Sequence, residues 1–219
     1  MDQQANFAKL LLKLEISKIQ NSKLKVKSQK NGCLLPSVLR VLLKTHQKKV
    51  RDLKGAFKME ELIEIAKKVA NKLINENQTI SVIESSSGGL ISTALLSQPG
   101  ASAYYIGGQV IYTAASIKAL TGLKLRELKE QNIRSSSEEF ALLLGGKGCE
   151  LYQTDWCLTE TGAAGPSGNG YGDPPGFSCF AVSGIKSISS HINTNSNKRF
   201  ENMVKFSESA LSLLDNNLD

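Results

Sequence analysis

Histidine is nearly missing from this sequence: His46 and His191 are the only two, and neither stands close enough to a cysteine to form a metal-ligand motif. The four cysteines, Cys33, Cys149, Cys157 and Cys179, make no C-x-x-C pair, so they read as reduced thiols of an intracellular protein, and no metal is expected. No apolar run approaches the ~20 residues that cross a bilayer, and the N-terminus lacks a hydrophobic signal core. Membrane insertion and secretion are therefore not expected, and no internal repeat points to a solenoid.

What is present fits one globular core with an appendage: 219 residues, 41% hydrophobic and 21% charged. The formal charge of +7 is unevenly distributed. Residues 1–58 hold 14 Lys and Arg against 3 Asp and Glu, and the remainder holds 13 against 17. The folded part is thus mildly acidic, and a nucleic-acid role would have to reside in the tail, with binding that weakens steeply as salt rises. Within residues 1–58, two apolar clusters, Leu10 to Leu14 and Leu34 to Leu43, lie among Lys, Gln, Asn and Ser, a composition that offers little to pack against. The tail reads as a basic, partly disordered extension. Two alternatives stay open: an organelle transit segment, for which it is acid-poor but Lys-rich rather than Arg-rich, and translation from Met59, where the amphipathic pattern begins. The location expected is the cytoplasm, or an organelle if the tail is a transit segment.

From Met59, apolar residues at Leu62, Ile63, Ala66, Val69, Ala70, Leu73 and Ile74 line one face of a helix. Thr79 to Glu84 reads as a strand, Gly88 to Gln98 as a helix ended by Pro99-Gly100, and Gln109 to Thr113 as the next strand. Helical segments follow at about 114–130 and 135–152, the second entered through serines that can cap free amides. Asp155 to Thr161 and Phe177 to Ser183 read as strands, Ser187 to Thr194 as a fifth, and the last helix runs from about Asn197. Strands alternating with helices and ending in a hairpin predict a three-layer α/β/α sandwich with a mixed sheet over residues 59–219.

Three segments carry chemistry. Glu84-Ser85-Ser86-Ser87-Gly88-Gly89 sits where a strand passes into a helix, where unpaired amides favour an anion or a developing oxyanion. A plain capping turn would use the same residues. Thr161 to Gly176 is a Gly-rich loop after a strand, too long for a simple connection, and such loops let amides approach a phosphate. It lacks both the Gly-Lys-Ser/Thr ending of a P-loop and a Rossmann fingerprint, which disfavours ATP hydrolysis and dinucleotide binding. Pro99 to Gly108 leads into Val110-Ile111-Tyr112-Thr113; the paired Tyr104 and Tyr105 read as packing residues, and Tyr112 ends a strand facing a site. An activated serine needs a base, and no histidine is placed for a Ser-His-Asp triad. Glu84, Tyr112, Lys118 and Glu160 remain as options.

Together ESSSGGLIS, PGASAYYIGGQVIYT and TGAAGPSG resemble the C-terminal domain of the competence/damage-inducible protein CinA family, over roughly residues 59–215. The resemblance implies hydrolysis of the carboxamide of nicotinamide mononucleotide to nicotinate mononucleotide and ammonia, without a cofactor, by a homo-oligomer acting on a small phosphorylated nucleotide. Carried onto this chain, it implies Ser85 as nucleophile, Tyr112 and Lys118 as proton handlers, helix amides for the oxyanion, and substrate contacts from Ser87, Gly88, Gly89, Thr161, Gly162, Gly165, Pro166 and Gly168. This sequence departs from the pattern in places. The family lysine five residues after Tyr112 is Ile117, with Lys118 one later; an arginine is replaced by Gly107; and K-P-x-G in the long loop reads Asp173-Pro174-Pro175-Gly176. Those departures keep a second reading open, that of a catalytically silent nucleotide-binding or regulatory protein.

Overall fold

A computed structural model describes residues 59–219. The basic extension over residues 1–58, with its readings as a disordered tail, a transit segment or a tether, lies outside the described residues.

Helix α1 covers residues 59–75 and is followed by β1 (Ile80–Glu84), α2 (Leu90–Leu96), a single 3-10 turn (Ala101–Ala103) and β2 (Tyr105–Val110). Next come α3 (Ala114–Thr121), α4 (Leu125–Glu130), α5 (Glu138–Tyr152), β3 (Trp156–Ala163), β4 (Phe177–Gly184), β5 (Ile188–Asn193) and α6 (Arg199–Asp215). The strands form one sheet in the order β2-β1-β3-β4-β5. β1 pairs in parallel with β2 and with β3, whereas β3, β4 and β5 form an antiparallel meander. The sheet is therefore mixed, and its parallel half carries the three chemistry-bearing segments.

The two-residue period of the strands divides the core. Ile80 and Val82 of β1, Trp156 and Leu158 of β3, and Phe180 and Val182 of β4 point to one face, where Leu62, Val69 and Leu73 of α1, Leu95 of α2 and Leu211 and Leu214 of α6 cover them. Ile83 and Cys157 point to the other face, against Phe140 and Leu144 of α5, Ile117 of α3 and Leu128 of α4. Helix α5 lies unusually close: a Cβ at Gly148 would sit 3.1 Å from Ile83 Cδ1 and 3.2 Å from Cys157 Cβ. That close approach explains a glycine in a helix interior, where it costs about 1 kcal/mol relative to alanine.

Two elements differ from the sequence reading. The second strand lies at Tyr105–Val110 rather than at Gln109–Thr113. Its ladder with Ile80–Glu84 starts at Tyr105 and ends with the pair Glu84 and Val110. The helix expected over 114–130 is two helices, because Gly122 takes a left-handed φ of 74° and caps α3 through a bond from its amide to the Lys118 carbonyl. Among the described residues no helix is long and apolar enough to cross a membrane.

Candidate active site

Because β1, β2 and β3 are parallel, the segments that follow them leave the sheet at the same edge, the usual place for a ligand in an open α/β sheet. The serine turn follows β1, Tyr112 follows β2, and Thr161 and Gly162 close β3 ahead of the Gly-rich loop.

Two fully buried carboxylates clamp the serine turn. Glu84 Oε2 accepts from the amides of Gly89 and Ile91, both at 3.0 Å, and from Ser87 Oγ at 2.8 Å. Its Oε1 accepts from Ser92 N at 2.8 Å and Ser92 Oγ at 2.6 Å. Glu160 reaches across from β3: Oε2 accepts from the amides of Ser87 at 2.7 Å and Ser85 at 3.3 Å, and Oε1 from the hydroxyls of Ser86 and Ser178. Burial pushes the Glu160 carboxyl above its ordinary range, opposed by the bonds from Ser178, Ser86 and Ser87.

This clamp corrects the expectation of unpaired amides at the start of α2. The amides of Gly89, Ile91 and Ser92 are taken by Glu84, those of Ser85 and Ser87 by Glu160, and those of Gly88 and Leu90 by the carbonyls of Ser85 and Ser87. Among the described residues, only the Ser86 amide in the stretch from Ser85 to Ser92 donates to no protein acceptor. The Ser85 hydroxyl is likewise without a protein partner, and Ser85 is half-buried whereas Ser86 and Ser87 are buried. Of three consecutive serines, the fold thus leaves one hydroxyl free to meet a ligand.

Tyr112 is 60% exposed, and its hydroxyl accepts from Arg199 Nη2 at 2.9 Å, with the guanidinium carbon 5.7 Å from the ring centroid. Arg199 Nη1 donates to the Gly165 carbonyl at 2.6 Å, so one side chain ties the Tyr112 segment to the Gly-rich loop. Buried Asn202, one turn further along α6, donates to the Ala164 carbonyl at 2.8 Å and to the Ser196 carbonyl at 2.7 Å. Lys118 is exposed on the last turn of α3, and among the described residues no hydrogen bond or ion pair joins its side chain to Ser85 or Tyr112. Ile117, at the family lysine position, is only 6% exposed and packs into the core.

The Gly-rich loop is tied down at its far side. Asp173 accepts from both Nη atoms of Arg134, at 2.5 and 2.9 Å, and from Asn169 Nδ2 at 2.8 Å. Burial alone would raise the Asp173 carboxyl, but the bonds from Arg134 and Asn169 outweigh it and hold it below the usual range. Thr161 is buried and accepts from the Ser136 amide at 3.3 Å, while Gly162 pairs with Ser178 so closely that a Cβ there would lie 2.5 Å from the Phe177 carbonyl oxygen. Gly165 is buried, and Pro166 and Gly168 are exposed. Cys157 and Cys179 are buried thiols pushed up to about 12 by desolvation, and so are poor thiolate nucleophiles.

Sequence reading did not find Arg199, Asn202, Arg134 or Ser178. One local signal was available for Arg199, since a cation in the first turn of a helix runs against the helix dipole and needs another reason to be there.

Known proteins bear on this geometry. A curated CinA-like protein of Sulfurihydrogenibium sp. (strain YO3AOP1) is 35% identical over 135 residues, which are 61% of this chain and 33% of that protein. A CinA-like protein of Leptospira biflexa is 29% identical over 152 residues, 69% of this chain and 33% of its own length. The chain thus spans about a third of the length of these relatives. The crystal structure of a competence-damaged protein (CinA) superfamily protein from Enterobacter cloacae superposes with a TM-score of 0.66 at 25% identity, covering 72% of this chain and 92% of that one. The competence or damage-inducible protein from Enterobacter asburiae has the same fold, with a TM-score of 0.67 at 23% identity over 72% and 98% of the two chains. The CinA C-terminal domain profile matches residues 62–218, a span that holds the whole sheet, both carboxylate clamps and Arg199, and the chain belongs to that family.

Proposed function

We propose that the protein hydrolyses the carboxamide of a phosphorylated pyridine nucleotide, with nicotinamide mononucleotide as the first candidate substrate. The observation that carries this reading is the half-buried Ser85 hydroxyl, free among the described residues, on a turn held by Glu84 and Glu160, next to an amide, that of Ser86, which also lacks a partner among them. In serine hydrolases the amide after the nucleophile is a standard oxyanion donor. Ser85 Oγ attacks the carboxamide carbon, the C–N bond breaks, and ammonia leaves with the proton delivered through Tyr112 or Lys118. Water then cleaves the ester, releasing the carboxylate and restoring Ser85. The amide of Ser86 faces the oxyanion, while Glu84 and Glu160 act as positioning residues that set the turn.

The test is ammonia release by the full chain offered nicotinamide mononucleotide. Ser85→Ala is expected to lower kcat by about a thousandfold or more while leaving the melting temperature unchanged, because the hydroxyl supports no internal bond. Full ammonia release by Ser85→Ala would remove this mechanism.

A second reading, a nucleotide-binding protein without turnover, is favoured by one observation: Ile117, at the family lysine position, is locked in the core, and no hydrogen bond joins Lys118 to Ser85 among the described residues. Tight binding of the mononucleotide with no ammonia release across amide substrates would select it.

A further inference from the structure

The arginines in the described residues are not equivalent. Arg126 faces Glu130 and Arg134 faces Asp173, whereas Arg199 meets no carboxylate among the described residues; its two bonds go to neutral oxygens, the Gly165 carbonyl and the Tyr112 hydroxyl. A guanidinium has five N–H donors. Among the described residues Arg199 therefore keeps most of its donors and has no carboxylate to offset its charge, on an exposed side chain that two partners already hold in place.

Its position along α6 places it beside the serine turn. Met203 lies four residues on, hence on the same helix face and about 6 Å further along the axis. The Met203 side chain lies over Gly88, where a Cβ would come 2.8 Å from Met203 Cε. Arg199 thus stands about one helical turn from the segment that presents Ser85, and it touches both other segments of the site.

The Gly-rich loop spends part of its amides internally, whereas among the described residues those of Gly165, Ser167, Gly168 and Gly170 donate to no protein acceptor and carry no formal charge. The amides of Asn169 and Gly172 donate to the carbonyls of Asp173 and Asn169, those of Tyr171 and Asp173 donate to Asn169 Oδ1, and that of Gly176 donates to the Ala163 carbonyl. Gly165 turns its carbonyl, not its amide, toward Arg199. The loop holds the guanidinium, and the guanidinium supplies the positive charge.

We propose that Arg199 is the anion-recognising residue of this site and reads a terminal phosphate monoester on the ligand, through paired N–H···O bonds that its planar fork suits. The placement of the rest of the ligand, with a carboxamide at Ser85 one helical turn away, rests on the hydrolase reading; the anion site does not.

The experiment is calorimetric titration of the full chain with ribose 5-phosphate and with ribose, in the wild type, Arg199→Gln and Arg199→Lys. Ribose 5-phosphate is expected to bind the wild type and ribose not; Arg199→Gln should weaken the phosphate ester by about 10- to 100-fold, and Arg199→Lys should recover part of the loss as a point charge without the fork. If Arg199 merely ties Tyr112 to the loop, Arg199→Gln will lower the melting temperature yet leave the preference for the phosphate ester intact, and the proposal fails. It fails equally if the wild type binds neither probe. Should Arg199→Gln not fold, equal affinity of Arg199→Lys and wild type for ribose 5-phosphate overturns the requirement for the fork. Ammonia release measured in parallel separates the two ideas: Arg199-dependent phosphate binding without turnover removes the hydrolase reading and leaves this one standing.

Discussion

Two buried carboxylates one strand apart hold the same turn, and they are built to different rules. Glu84 meets rigid backbone amides at both oxygens: Gly89 and Ile91 at one, Ser92 at the other. Glu160 meets amides only at Oε2; its Oε1 faces two hydroxyls, Ser86 and Ser178. A backbone N–H cannot turn round, but a hydroxyl can donate or accept. Glu84 is therefore irreplaceable even by its amide, while Glu160 has one side that tolerates a donor. Similar burial and similar bond counts conceal opposite tolerance, because the partner groups differ in rotational freedom.

The sharpest way to break this comparison is Glu84→Gln. Whichever way the amide is turned, its NH₂ faces a backbone N–H, and a loss of about 3 kcal/mol or more in urea unfolding is expected, at the upper end of the cost of buried unsatisfied groups. A loss below about 1 kcal/mol would show that the turn relaxes around the change. Asp173→Asn probes the looser, outer tie. Arg134 is 41% exposed at its side chain, so about 1 kcal/mol is expected despite the paired bonds. Because the Asp173 carboxyl is held below its ordinary 3.8, its contribution is present above that pH and fades as the pH falls through the lower folded value. The gap between wild type and Asp173→Asn should close under acid, and a gap unchanged by pH would detach it from the ion pair.

Glu160→Gln is expected to be the mildest, within about 1 kcal/mol at neutral pH, since Gln can keep its oxygen toward the amides and offer NH₂ to the two hydroxyls. Here the pH dependence has the opposite sign. The folded carboxyl titrates above the ordinary 4.5, so as the pH rises from there the unfolded chain loses its proton first, and the wild type loses stability until the folded group has ionised as well. Glu160→Gln lacks that slope. Parallel pH–stability curves for the two proteins would mean that the carboxyl titrates as it does in the unfolded chain.

Much of the fold could be read directly. The apolar spacing of Leu62, Ala66, Val69 and Leu73 marks α1, and those four residues are fully buried. The runs that became β1, β3 and β4 are bounded by polar or glycine-rich segments, so their placement moved by only a residue or two. Strand β2 was misplaced because Gly107-Gly108 looks like a break, while Val110 to Thr113 has the stronger β propensity. Pairing with β1 overrode that propensity, and Tyr152 packs where a side chain at position 107 would lie, 2.7 Å from its Cε1.

The site divides along the same line. The serine turn, Tyr112 and the Gly-rich loop were legible as contiguous segments at strand ends. What each does there was not, since Tyr112 meets Arg199 across 87 residues and Ser85 meets Glu160 across 75.

The sequence by itself determined most of the elements, the mixed sheet and the three segments at its edge, because periodicity, capping and turn chemistry act over a few residues, whereas the position of β2 was set by its pairing with β1. Tertiary structure alone decided that Glu84 and Glu160 consume the turn amides, that Ile117 faces the core and that, among the described residues, the hydroxyl of Ser85 stays free and Arg199 stands without a counter-ion. Each of these depends on which distant group fills the space beside a residue, and only the packing of strands and helices brings those groups together.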